Sequence, residues 1–447
     1  PHLEHEYGSP GQFQAGVRVI DNHGVYADAH TAVNAADSVA FSFGGDGLFD
    51  YAQSVVVCGD GSLMLFGYSD DGVSAPTDTF VAHVDPHTLS GSAWRWGGGS
   101  YDSLSGAQLA ADGFIYACGT TRSYGQGGGD GLLQKWTQQG ELVWSKTIGM
   151  AEAAERFSGL SSSGDSLYLA GSMSLDATGN SYGLIVKLDS EGALNWAATL
   201  ISPADCYFKD IVFYQPLAAG TPAARVCGDY YDATGYSDIV FAEYAENGDR
   251  LVCKRWGADN VYEFSGAITL AGSPVPGTIV TGEIYSASQT RTFLGYPGGA
   301  MVELDGGPSQ HLSGNDVLGF NLLMYRTDFT ANSSPVVCTF SSALALLSQW
   351  ELKSEASGFK TGKALAHYGG GRLAVAGYQS VALPERAGIE LGETPSAQSW
   401  SDITPPQGSP SQLVVSETPA ILTGVGDAAF NRGDFDADAL VYIGPFQ

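Results

Sequence analysis

A short apolar run, a small-residue step, a polar loop and a second strand-like run recur eight times along the chain. The first run of each repeat ends at Gly67 (MLFGY), Gly119 (YACGT), Gly171 (YLAGS), Gly228 (RVCGD), Gly282 (IVTGE), Thr339 (VVCTF), Gly377 (AVAGY) and Gly424 (ILTGV). The period averages about 51 residues, with single steps between 38 and 57. Strand-length runs at such a period predict a β-propeller.

One repeat shows how four strands arise. Within residues 153–200, RFSGLSSSGD reads as strand and turn, SLYLAGSM as a buried strand, and SLDATGNSY as a loop. SYGLIVKLD then alternates as a third strand, SEG turns, and ALNWAATLI closes as a fourth. Hairpin-linked strands of this kind make one blade. Tryptophans recur at Trp94 or Trp96, Trp144, Trp196, Trp256, Trp350 and Trp400. At fourth-strand positions each is expected to pack its ring between neighbouring blades.

The pattern predicts an all-β, eight-bladed propeller of four-stranded antiparallel blades. Its blades fall at roughly 50–98, 100–149, 153–200, 206–256, 261–312, 315–355, 359–402 and 409–445. The last repeat (QLVVSE, PAILTGV, DALVYIG) lacks a fourth strand, and the orphan run SVAFSFGG at 38–45 supplies one. Closure of that kind removes exposed strand edges. Seven blades is the rival count, because residues 310–360 fit the repeat worst. Residues 1–36 lie outside the repeat and read as an N-terminal arm, a candidate for assembly.

Composition narrows the function. Apolar residues make up 44%, and 60 glycines with only 15% charged residues suit many tight turns. A formal charge of −28 repels phosphate backbones, so nucleic acid is not an expected partner. No window approaches eighteen unbroken apolar residues, so no membrane-spanning helix is expected. The chain opens at Pro1 with no basic-then-apolar leader, which fits an exported protein whose signal is cut off or left out. An extracellular, cell-surface or periplasmic location follows. The six cysteines show no metal or haem spacing and read as small buried hydrophobes, although Cys206 and Cys253 share a repeat and could pair.

The segments GDSLYLAGSMSLDATGNSYGLIVKLDSEGALNW and DGFIYACGTTRSYGQGGGDGLLQKWTQQGELVW resemble the bacterial β-propeller repeat family of exported proteins. The resemblance covers roughly residues 50–445 and weakens after 310. It implies the fold, with surface binding or scaffolding as the expected role. The G-x-x-x-W pieces are also similar to those of quinone-dependent dehydrogenases, but no two cysteines here are adjacent. Sialidase-type S-x-D-x-G-x-T-W boxes are absent. A shared fold carries no activity across.

In a propeller the loops between second and third strands gather on one face with the connections between blades. Those loops carry Tyr68, Asp70, Asp71, Tyr124, Asp176, Tyr182, Asp229, Tyr230, Tyr231, Asp232, Tyr236, Tyr285, Phe293, Tyr296, Tyr378 and Phe430. Tyrosine beside carboxylate suits stacking and hydroxyl recognition, so this face is the candidate binding site. DATG occurs twice, from Asp176 and from Asp232, and reads as a self-capping turn. Asp434, Asp436 and Asp438 alternate and invite calcium, but lack the Gly and distal Glu of an EF-hand, and Asp438 matches Asp78, Asp130 and Asp238 before third strands. His83 and His87 straddle Asp85, with Pro86 bending the chain between them. No cofactor is required; Ca2+ is the leading candidate ion, with a transition metal at His83, Asp85 and His87 as the weaker one.

The leading expectation is therefore a non-enzymatic binding or scaffold propeller that engages a protein or glycan. A structural subunit of a surface assembly is the second reading. A hydrolase or lyase using loop carboxylates is the third, and nothing in the spacing selects a pair.

Overall fold

Second and third strands of the repeats are apolar on both faces because each lies between two neighbouring sheets. All seven residues of Asp130–Trp136 are buried, for example. First strands instead alternate, as in Ala153–Ser163, because one side lines a central channel. In this computed structural model the chain forms an all-β, seven-bladed propeller. The structure describes residues 11–20, 26–35, 39–44, 49–70, 76–175, 179–216, 220–271, 277–285, 290–305, 309–315, 319–327, 333–353, 360–369, 372–379, 385–388, 393–396, 398–410, 412–419, 422–424, 429–431 and 438–445.

Six blades take four consecutive strands each. Their first strands are Phe49–Val57, Asp102–Leu109, Ala153–Ser163, Cys206–Tyr214, Tyr262–Ala271 and Ser309–Asn315. Blade 7 is assembled from distant segments: Lys360–Gly369, Arg372–Gln379, Asp438–Pro445 and Val39–Gly44. The ring closes there, with Val39 opposite Ile443 and Phe43 opposite Ala439.

The expected count of eight is corrected to seven, and the reason lies in residues 385–431. These do not fold as a blade. They leave blade 7 after its second strand and run backwards around the rim, adding a short fifth strand to every sheet. Glu385–Gly388 joins blade 6, Glu393–Pro395 blade 5, Trp400–Asp402 blade 4 and Gln407–Gly408 blade 3. Val414–Glu417, Thr423–Gly424 and Ala429–Asn431 follow on blades 2, 1 and 7. Runs such as QLVVSE look like blade strands because they are strands; only their partners differ. Gly424 thus lies on the belt opposite Trp94. Trp400 is a belt residue opposite Trp256. Thr339 falls on the third strand of blade 6.

The belt is tied down between its strands as well. Trp96 Nε1 donates to the Pro419 carbonyl at 2.6 Å, Ile201 N to Pro406 O at 3.1 Å, and Arg250 to Pro405 O at 2.5 Å. Proline is tolerated here because an edge strand can dispense with an N–H. Leu413, at 7% exposure, inserts into the core between blades 2 and 3.

The recurring glycine has a steric cause. Every first strand carries a β-bulge, at Gln53, Ser105, Ser158, Lys209, Gly266, Gln310 and Lys363. Beside the bulge, a first-strand carbonyl sits where the second-strand Cβ would be. The carbonyls of Tyr51, Ser103, Arg156, Tyr207 and Phe264 occupy that place over Gly67, Gly119, Gly171, Gly228 and Gly282. Blade 6 has Met324 opposite the corresponding irregularity, which explains why its repeat reads poorly in sequence. Blades interlock on the opposite side of the disc. The rings of Trp94, Trp144 and Trp196 each lie against a turn glycine of the next blade, Gly140, Gly192 and Gly248, all at positive φ.

The N-terminal arm forms a two-stranded hairpin, Gly11–Ile20 with Tyr26–Ala35, paired in register from Gly11–Ala35 to Ile20–Tyr26. Among the described residues it adds to no blade. No described helix is long and apolar enough to cross a membrane.

Gly171→Ala tests the bulge account. Its methyl group would meet the Arg156 carbonyl and Phe157 Cα, a displacement costing about 1–3 kcal/mol by analogy with overpacked cores. A lowered urea midpoint is expected, and an unchanged midpoint would refute the steric reading.

Candidate functional site

A cavity of about 580 Å3 opens on the face carrying the second-to-third-strand loops. It lies at the top of blades 2, 3 and 4. Its cause is a patch of small residues on blade 3. Ala154, Ser174 and Ser181 are successive cross-strand partners, as are Arg156, Ser172 and Gly183. Alternation along strands places both rows on one face of the sheet. Lower on that face, Tyr168, Ala170 and Ile185 pack into the core shared with blade 4. Above them, beside Arg156, the side chains that project carry no more than hydroxyl and methyl groups, and the seam opens into the cavity. Ser174 and Ser181 share a 2.7 Å hydroxyl contact within it.

The remaining walls are Tyr207 of blade 4 and Tyr101, Thr120, Arg122, Gly128 and Gly129 of blade 2. Tyr207 is held by an edge-to-face contact with Tyr231, centroids 6.0 Å apart. Tyr101 is 40% exposed, and its carbonyl accepts the Arg122 N–H at 2.8 Å. Glu155 lines the cleft too, buried at 2%, and accepts a 3.4 Å hydrogen bond from Met150 N. Among the described lining residues it is the one carboxylate.

Most residues singled out from sequence sit on this face but outside the cleft, and Tyr124, Asp229 and Tyr236 among them bridge neighbouring blades. Tyr68 stacks on Tyr51 at 4.6 Å, and Asp70 ends the same strand. Tyr124 leans on Trp96 at 5.1 Å and donates to the Gly97 carbonyl at 2.9 Å. Tyr182 and Tyr230 pack against the cores flanking blade 3. Asp229 ties blade 4 to blade 5, accepting from Ser265 N at 2.7 Å and pairing with Lys209 at 3.3 Å. Tyr231 holds Tyr207 as described, and Tyr236 leans on Tyr262 at 4.8 Å. Asp232 caps its own turn, accepting from Thr234 N at 2.7 Å and Tyr236 N at 3.3 Å. Tyr285 is 56% exposed. Phe293 is buried against Trp256. Tyr378 ends a blade 7 strand opposite Ala439.

Two placements are corrected. Tyr296 lies in a third-to-fourth-strand turn on the opposite face, donating to the Ser342 carbonyl. Phe430 is on the belt opposite Phe43, at the rim rather than the loop face. Asp71, Asp176, Asp434 and Asp436 lie outside the described residues. Asp438 begins the third strand of blade 7 opposite Gln379, and no described group of acidic, His or Cys side chains is arranged to hold a metal. His83 contacts Ser62 Oγ at 2.9 Å and His87 contacts Tyr368 at 3.1 Å, so the two imidazoles serve different turns. All six cysteines are buried and unpaired.

The cleft residues Tyr101, Arg122, Arg156 and Tyr207 went unselected. A usable signal existed: arginines at TTR and AER are basic positions beside loops of a strongly acidic chain.

Comparison with known proteins places no family on the chain. No family model matches it, and no curated protein does. Among solved structures, the tail fiber of Staphylococcus aureus phage P68 is similar at 9% identity, covering 78% of this chain and 92% of that one with a TM-score of 0.22. A likeness at that level carries nothing about this cleft.

The loop face also stores buried acid. Burial pushes Asp130 and Asp238 up to about 6, the latter despite Arg255 at 3.3 Å. Burial likewise pushes Glu263 up to about 7, although Gln398 of the belt donates to it at 2.8 Å. A carboxyl raised on folding binds more protons folded than unfolded between its ordinary value near 4 and its folded value. Stability from such groups therefore falls as pH rises through 6 to 7. Thermal unfolding is expected at higher temperature at pH 5.5 than at pH 8, with Glu263→Gln flattening the slope. A melting temperature that drops on this mild acidification would contradict the assignment.

Proposed function

We propose that this chain is a non-enzymatic, extracellular or cell-surface binding module that takes a saccharide in the cleft at blades 2, 3 and 4. The cleft carries the reading: about 580 Å3 with Tyr101 and Tyr207 at its walls and the hydroxyls of Thr120, Ser172, Ser174 and Ser181 within reach. That volume suits a small ligand. Rigid aromatic faces accept the C–H side of a sugar ring, and short hydroxyl side chains exchange hydrogen bonds with its rim. Two opposed carboxylates, which glycoside hydrolysis requires, are not among the described lining residues. The raised carboxyls Asp238 and Glu263 lie in blades 4 and 5, engaged by Arg255 and the belt. In this proposal no cofactor is needed. Tyr207→Ala is expected to weaken binding on a glycan array and by calorimetry at least tenfold, while Tyr285→Ala leaves it unchanged. Equal behaviour of the two variants, or no glycan bound at all, would remove the proposal.

A second reading rests on the hairpin of Gly11–Ile20 and Tyr26–Ala35. Each 10-residue strand has one edge unpaired within the described structure, a template for strand addition to another chain. The arm would join copies or neighbours in an assembly while the loop face stays free. Removing residues 1–36 is expected to lower the oligomeric mass in light scattering and leave glycan binding intact. An unchanged mass would separate the arm from assembly.

A further inference from the structure

The cationic side chains of this chain are scarce, 20 Lys and Arg against 48 Asp and Glu, and among the described residues most of them are engaged. Arg95, Arg225, Arg255 and Arg291 each pair with a carboxylate, and Arg250 donates to the belt. Arg122 and Arg156 are exceptions. Both are exposed, and among the described residues neither guanidinium has a carboxylate partner. They line one and the same cavity, from different blades. In a chain of formal charge −28, two arginines without an ion-pair partner among the described residues, converging on one pocket, suit a ligand that brings negative charge.

We infer that the cleft selects an acidic saccharide, holding its carboxylate or phosphate with Arg122 and Arg156. The inference rests on the saccharide reading above and deepens it. Arg156 rises from the first strand of blade 3 opposite Ser172, so the two share the face of the sheet that borders the cleft. Arg122 comes from the far side of the cleft, three residues after Gly119, on the loop that leads to Gly128 and Gly129. A planar guanidinium donates two parallel hydrogen bonds to either oxyanion, and two of them fix its position. Tyr101 and Tyr207 remain for the ring of the sugar that carries the acid. Among the described lining residues, an ionised Glu155 leaves a surplus of one positive charge. The net negative charge is no obstacle. It opposes a long polyanion laid across the surface, but is screened beyond about 8 Å at physiological salt, whereas the two arginines act at contact.

Calorimetry with pentamannose, pentamannosyl phosphate and trigalacturonate tests this on the full chain, beside Arg122→Ala and Arg156→Ala. Both substitutions are at exposed side chains, so retained melting temperature serves as the folding check. At least one acidic ligand is expected to bind tenfold or more tighter than pentamannose, and each arginine variant to lose about tenfold toward it alone. Preference between the phosphate and the uronate identifies the source of the anion. If pentamannose binds as well as both acids and the arginine variants match wild type, the acidic assignment is overturned while the saccharide reading stands. If no ligand binds, and a broad glycan array is also blank, the saccharide reading falls and takes this inference with it.

Discussion

Unpaired strand edges govern this architecture. A sheet ending in a free fourth strand leaves backbone N–H and C=O groups to water or to another chain. Here one excursion from blade 7 visits the outer edge of every sheet in turn, from Glu385–Gly388 on blade 6 to Ala429–Asn431 on blade 7. Its stations begin at residues 385, 393, 400, 407, 414, 423 and 429, so about seven residues serve each blade. Seven extended residues reach roughly 23 Å. The belt returns as the third strand of blade 7, beside the strand Val39–Gly44. Circumference and closure are therefore one continuous constraint, and loosening either releases the other.

Inside that hoop, each blade is shaped by close approach within its own sheet, and neighbouring blades are fastened by packing and by ionic contacts such as Lys135 with Glu191 at 3.2 Å. The bulged first strands press carbonyls onto second-strand glycines, and tryptophans lie against the next blade's turn. Side chains also cap the inner edges across blades. Ala107 N donates to Ser54 Oγ at 3.1 Å, Phe213 N to Ser161 Oγ at 2.9 Å, and Ile268 N to Asp210 Oδ2 at 3.0 Å. The bulges also define the channel waist, a space of about 210 Å3 whose lining includes Gln53, Ser105, Ser158, Lys209 and Lys363. Burial pushes Asp210 up to about 6 even with two backbone donors, so this stitching carries a proton-linked cost.

The cleft is where the same packing is relaxed. Blade 3 meets blade 4 through Tyr168 and Phe213 low in the seam and Phe208 against Gly183 above them, but offers Ser172, Ser174 and Ser181 toward the cleft. Elsewhere on that face the seams are plugged by Tyr124 on Trp96 or bridged by Asp229 and Ser265. A cleft arises where this seam stays open at the top, and the arginines among its lining give the opening a sign of charge.

Strand-forming runs, turn residues, the repeat glycines other than Gly424 and the fourth-strand tryptophans other than Trp400 were legible in the chain, because each depends on neighbours a few positions away. The self-capping turn at Asp232 followed from its own tetrapeptide. Blade number did not follow, since Val414–Glu417 has the same local pattern whether it pairs within a blade or with Leu142–Gly149 of blade 2. Nor did the cleft, because tyrosines such as Tyr124 and Tyr236 are equally suited to sealing a seam and to stacking a ligand. The sequence by itself determined where strands begin and turn. Tertiary structure alone decided which edges they cover and which side chains stay open to solvent, since both depend on partners hundreds of residues apart.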